Sequence, residues 1–109
     1  DESYLKRIPK CVEVEKVSSD NPELISKILA KRGCNKVLWE CGPRLATAAI
    51  QSNCIQEIIT FIAPKILGGE NCMNPFGDFE FQEMDEVINL NHSQVNFVGS
   101  DICVKNSFK

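Results

Sequence analysis

The run CVEVEKV (residues 11–17) alternates apolar and polar side chains, the period-two signature of a half-buried strand. After SSDNPE the period changes: Leu24, Ile25, Ile28 and Leu29 fall on one face at helical spacing, which predicts a helix from about Pro22. Asp20 or Asn21 can cap its first turn, and Pro22 stands where a missing N–H costs nothing. Lys31 and Arg32 suit the negative end of the helix dipole, and Gly33 supplies a left-handed cap. KVLWE (36–40) is a short, almost unbroken apolar run, as in a strand covered on both faces. A second helix is predicted from Pro43 to about Ser52, and EIITFIA (57–63) is a further β-rich run closed by Pro64.

Strand, helix, strand, helix, strand is an order that predicts two right-handed crossovers and three parallel strands. The pattern then loosens. PKILGGENCMNPFGDFEF (64–81) is a long connection with paired glycines, Gly68 and Gly69, that suit a turn. QVNF (94–97) and DICVK (101–105) flank Val98-Gly99-Ser100 and predict a C-terminal antiparallel hairpin. The predicted fold class is α/β, a mixed sheet with helices on both faces, formed as one domain without repeats or linkers.

Composition removes several functional classes. A chain of 109 residues with net charge -3 and no basic run gives no reason to expect a nucleic acid or an acidic membrane surface as partner. Its apolar stretches fall far short of the roughly 20 residues that cross a bilayer, and residues 1–10 lack the apolar core of a signal peptide. Six cysteines (11, 34, 41, 54, 72 and 103) include no C-x-x-C pair, and His92 is the sole histidine, so no metal site is predicted. Most of these cysteines lie in apolar runs, which predicts small buried hydrophobes in a reducing cytoplasm.

The candidate chemistry lies in KVLWECGPRLATA (36–48). Ligands of open α/β sheets settle at the carboxyl ends of strands, and Glu40 stands at such an end. Gly42 lets the backbone approach a ligand closely, and Pro43 presets the first helical residue. A helix start offers unpaired N–H groups and partial positive charge to a phosphate. Ala46, Ala48 and Ala49 are small enough for a bulky neighbour to lie against the turn, and Arg44 in the first turn suggests an anion nearby. Gly-Pro is also ordinary punctuation between a strand and a helix, Glu40 can serve as a cap or ion-pair partner, and G-x-G-x-x-G is absent. Spacing alone leaves phosphate binding and punctuation both open.

Taken whole, VLWECGPRLATAAIQSNCIQEIITFIAPKILGG (37–69) resembles the C-terminal reductase domain of the bifunctional riboflavin-biosynthesis deaminase/reductase. The shared pattern is a hydrophobic strand, Glu-(Gly/Ala)-Gly, a small-residue helix, and I-A-P-K-L-L-G-G; GSDIC (99–103) is similar to the family's closing turn. Cys41 stands where the family has glycine or alanine, and Gln56 where it commonly has aspartate. Upstream of Lys36 the resemblance rests on element order.

The resemblance implies a dihydrofolate-reductase-like fold and NADPH-dependent reduction of the ribose of 5-amino-6-(5-phosphoribosylamino)uracil to a ribityl chain. It implies that Glu40 contacts the substrate. It implies that Gly42, Pro43, Arg44, Leu45, Ala46, Thr47 and Ala48 hold the cofactor's phosphates. No catalytic acid or base is assigned. A homodimer is implied, as is an upstream deaminase domain in the full-length protein; one histidine and no paired cysteine preclude deamination by this stretch. Two other readings compete: a related reductase for another pterin or pyrimidine, and a non-catalytic domain that dimerises or supports a deaminase partner. The family's opening strand and loop segment has no counterpart visible in residues 1–35. Residues 1–109 are therefore expected to be the C-terminal portion of a single reductase domain, incomplete at the N-terminus.

Overall fold

The computed structural model describes residues 5–70 and 72–108. Two helices precede a three-stranded sheet: α1 (Pro22–Lys31), α2 (Pro43–Gln51), β1 (Glu57–Ile62), β2 (Asn91–Val98) and β3 (Asp101–Ser107). The helices form where local chemistry dictates. The Asn21 side chain accepts a hydrogen bond from the Leu24 N–H at 3.1 Å, which settles the cap of α1 on Asn21. At the other end Gly33 has φ +84°, its N–H reaches the Ala30 carbonyl, and the Cys34 N–H reaches that of Leu29. These paired bonds are the Schellman closure that a left-handed glycine permits. α2 closes in the same way through Asn53 at φ 53°, with Asn53 bonding Ile50 and Cys54 bonding Ala49.

The sheet runs in the order β1–β3–β2 with both pairings antiparallel. The predicted hairpin is present: Val98 pairs with Asp101, and Gly99 at φ +61° takes the first central position of a two-residue turn, the type II′ pattern. A one-residue register shift between Asn91 and Gln94 makes a bulge, and His92 at φ 51° absorbs it.

The three parallel strands are not there. Cys11–Val17 and Lys36–Glu40 belong to no strand, and β1 pairs antiparallel with β3 instead of parallel with its predecessors. Extended runs become strands only when a neighbouring strand exchanges backbone hydrogen bonds with them; among the described residues the backbone bond in these segments is a local turn, Val12 N–H to the Pro9 carbonyl at 2.9 Å. Glu13 and Glu15 are tied instead to Arg32 at the end of α1, the latter at 3.0 Å. Nor do the helices cover both faces of a sheet: α1 and α2 touch each other, and among the described residues neither packs on a strand.

Little core results. Ala49, at 0% exposure, and Pro22 at the start of α1 are the buried apolar side chains among the described residues. The chain exposes 9648 Å² where a compact domain of 12.2 kDa exposes about 6,000 Å². The register puts Ile58, Ile62, Ile102, Val104, Val95 and Phe97 on one sheet face, yet Phe97 remains 76% exposed. Ile59, Phe61 and Val98 stand exposed on the other. The cysteines are free, but contrary to expectation none is buried: Cys11, Cys34 and Cys72 are exposed, and Cys41, Cys54 and Cys103 half-buried. Without a packed core there is no interior for them to enter. No described helix is long and apolar enough to cross a membrane.

Candidate functional site

Glu40 precedes the start of α2 by three residues. Glu40 is exposed and stands two residues ahead of Gly42, which caps α2 in an extended conformation (φ -73°, ψ 169°). Gly42 has no side chain to satisfy the first turn, and Pro43 has no N–H to offer. The Ala46 N–H bonds the Gly42 carbonyl at 3.1 Å, while those of Arg44 and Leu45 meet no acceptor among the described residues. A helix start left open in this way carries partial positive charge and two N–H donors. The conformation of Gly42 is one that any residue adopts, and a Cβ built there would meet nothing within 4 Å. The chain's own packing therefore does not demand glycine at this position.

Arg44 is exposed, and its guanidinium is hydrogen-bonded to the carboxylate of Asp20. The anion suggested by an arginine in the first turn is thus, within the chain, Asp20. The bond from Arg44 holds the Asp20 carboxyl below the usual carboxylate range. Leu45, Ala46 and Ala48 are half-buried, and Thr47 is only 7% exposed. The Thr47 hydroxyl accepts a 2.8 Å hydrogen bond from the Gly77 N–H, which also lies 3.4 Å from the Pro43 carbonyl.

The sequence offered Asp20 only as a helix cap and not as the partner of Arg44, and Gly77 and the aromatic group around it escaped the reading. Phe79 stacks on Phe81 with centroids 5.2 Å apart, and Phe76 tilts against Phe79 at 6.3 Å. Three phenylalanines within NPFGDFEF were the available signal, but no periodicity ties them to a helix 30 residues upstream. Gly68 (φ +68°) and Gly69 (φ +123°) both need the left-handed region, as a glycine turn should. A concavity lies among residues 5–16, with Ile8, Val12 and Val14 in its lining; neither Glu40 nor α2 contributes to it.

A family model described as RibD C-terminal domain matches residues 4–104. The chain belongs to this family. Membership reaches well upstream of Lys36, where the motif resemblance begins, and so takes in α1 and the segment before it. Riboflavin biosynthesis protein PYRR, chloroplastic, of Arabidopsis thaliana is 39% identical over 95 residues, covering 87% of this chain and 16% of its own length. Riboflavin biosynthesis protein RibD of Synechocystis sp. is 36% identical over 99 residues, covering 91% of this chain and 26% of its own length. The chain thus spans between a sixth and about a quarter of these two relatives. The solved structure of Acinetobacter baumannii RibD, form 2, superposes with a TM-score of 0.67 over 88% of this chain and 25% of that one, at 23% identity. The RibD C-terminal fold is therefore the fold of this chain.

Proposed function

We propose that this chain is the C-terminal portion, residues 1–109, of a riboflavin-pathway reductase domain of dihydrofolate-reductase-like fold. Its reaction is the NADPH-dependent reduction of the ribose of 5-amino-6-(5-phosphoribosylamino)uracil. The observation that carries the reading is the open start of α2: an extended Gly42 with free space at its Cα, two N–H groups without an acceptor among the described residues, and an exposed Glu40 two positions ahead, in a chain of the RibD C-terminal family. These residues fit a pyridine nucleotide, whose pyrophosphate matches the dipole and N–H groups of a helix start.

Bound NADPH supplies the hydride. The Arg44 and Leu45 N–H groups hold phosphate oxygens, and Gly42 lets the backbone come close. Glu40 accepts hydrogen bonds from sugar hydroxyls or ring N–H groups of the substrate and so orients the carbon to be reduced. Positioning of this kind removes up to ~7–11 kcal/mol from a bimolecular barrier.

The uncovered apolar faces of the sheet support a second part of the proposal. Further strands, a second copy of the protein and an upstream deaminase domain are the expected neighbours, and the substrate pocket is completed by the added strands. A support domain without catalysis would expose the same faces but would have no use for an open helix start.

Fluorescence titration with NADPH, alongside steady-state rates of the intact enzyme, tests the reading. Glu40→Gln should lower turnover at least tenfold, on the order of one charge-assisted hydrogen bond, and leave NADPH affinity unchanged. Gly42→Val should do the reverse. Its Cβ meets nothing in the chain itself, so lost NADPH affinity in a normally folded Gly42→Val enzyme reports on the ligand alone. Unchanged affinity would remove the phosphate seat from Gly42.

A further inference from the structure

We propose that Thr47 is a positioning residue: its hydroxyl braces the start of α2 against the loop around Gly77. The inference rests on the reductase reading above and divides the stretch Gly42–Ala48 by task. α2 is nine residues long, and its first turn has neither a side-chain cap nor an N–H at Pro43. So short a helix with an uncapped start frays unless something outside it holds the first turn. The Gly77 N–H is that outside contact. It lies 2.8 Å from the Thr47 hydroxyl and 3.4 Å from the Pro43 carbonyl, bridging the first turn of α2 and the one after it. Pro43 and Thr47 are four residues apart and share one face of the helix.

That face cannot also meet a ligand. Thr47 is 7% exposed and its hydroxyl is occupied by Gly77, whereas Gly42 and Arg44 are exposed. The stacked Phe79 and Phe81 stiffen the same loop, so the brace is more than a loose turn. Thr47 therefore acts through the loop, fixing where the Arg44 and Leu45 N–H groups point, and does not itself touch the cofactor.

Thr47→Val tests this cleanly, because it keeps the shape and the helix propensity while deleting the acceptor. In the intact enzyme NADPH affinity should fall about threefold to tenfold, the span of one net hydrogen bond, with kcat at saturating NADPH retained. Exchange of the Gly77 amide should quicken by a similar factor, and Thr47→Ser should restore both. Wild-type affinity together with wild-type Gly77 exchange in Thr47→Val would overturn the proposal. So would a kcat that falls in step with affinity, or a Thr47→Ser enzyme that fails to recover. If Thr47→Val does not fold, Thr47→Ser decides: near-wild-type affinity supports the brace and a loss overturns it. If the wild-type enzyme gives no saturable NADPH response, the reductase reading falls, and Gly77 exchange still decides the brace, faster exchange supporting it and unchanged exchange overturning it.

Discussion

The helical half of this chain and its sheet are built by different means. α1 and α2 are closed by their own neighbours in sequence: Asn21 caps one start, Gly33 and Asn53 close the two ends, and the bonds involved span three to five residues. The sheet is held from a distance. Its central strand β3 pairs with β2 across a two-residue turn, but with β1 some 40 residues upstream, where Phe61 meets Cys103 and Ile58 meets Asn106. Local closure makes a helix recognisable and individually weak, whereas a central strand is obligatory for everything paired to it.

The largest effect should come from the centre of the sheet. Val104 lies opposite Thr60 on one side and Val95 on the other. Val104→Pro removes a ladder donor and distorts both pairings, and should cost more than about 3 kcal/mol in denaturant unfolding. A loss below 1 kcal/mol would mean that β3 is not the organising strand.

Gly33→Ala, at the end of α1, should cost about 1–2 kcal/mol. A Cβ at Gly33 meets nothing within 4 Å, so the penalty is purely that of holding alanine at φ +84°. A neutral result would show that the Schellman closure contributes nothing beyond the helix itself.

The smallest effect is electrostatic and can be compared across the two halves. Asp20 is held by Arg44 beside α2, and Glu57 by Lys105 at 2.8 Å across β1 and β3. The hydrogen bond from the partner cation lowers each carboxyl's pKa in the folded chain. A depressed folded pKa means that the stabilisation is fully present above the unfolded carboxylate value and is lost as pH falls through the folded one. The loss should thus begin below about pH 4. Both pairs are surface pairs, so the contributions are small and fade in salt. Asp20→Asn and Glu57→Gln should each flatten the acid limb of a stability–pH curve slightly. A flattening seen at pH 7 instead would point to a different charge partner.

What the sequence determined by itself follows the same division. Both helices, the caps of α1, the closing hairpin and the strand at Glu57–Ile62 were legible because each rests on neighbours within a few residues or on a turn with its own chemistry. The motif from Val37 to Gly69 also carried the family, which the match over residues 4–104 bears out. The parallel sheet was a misreading with a clear cause. Alternation in Cys11–Val17 and apolarity in Lys36–Glu40 state which side chains avoid water, but pairing is a property of two segments, and no described strand pairs with either. Tertiary structure alone decided that β1 joins the hairpin antiparallel, that Asp20 takes up Arg44, and that Gly77 lies on Thr47. Contacts between residues 24 to 50 positions apart leave no period in a sequence, because the chain between them is free to turn in many ways before one packing selects among them.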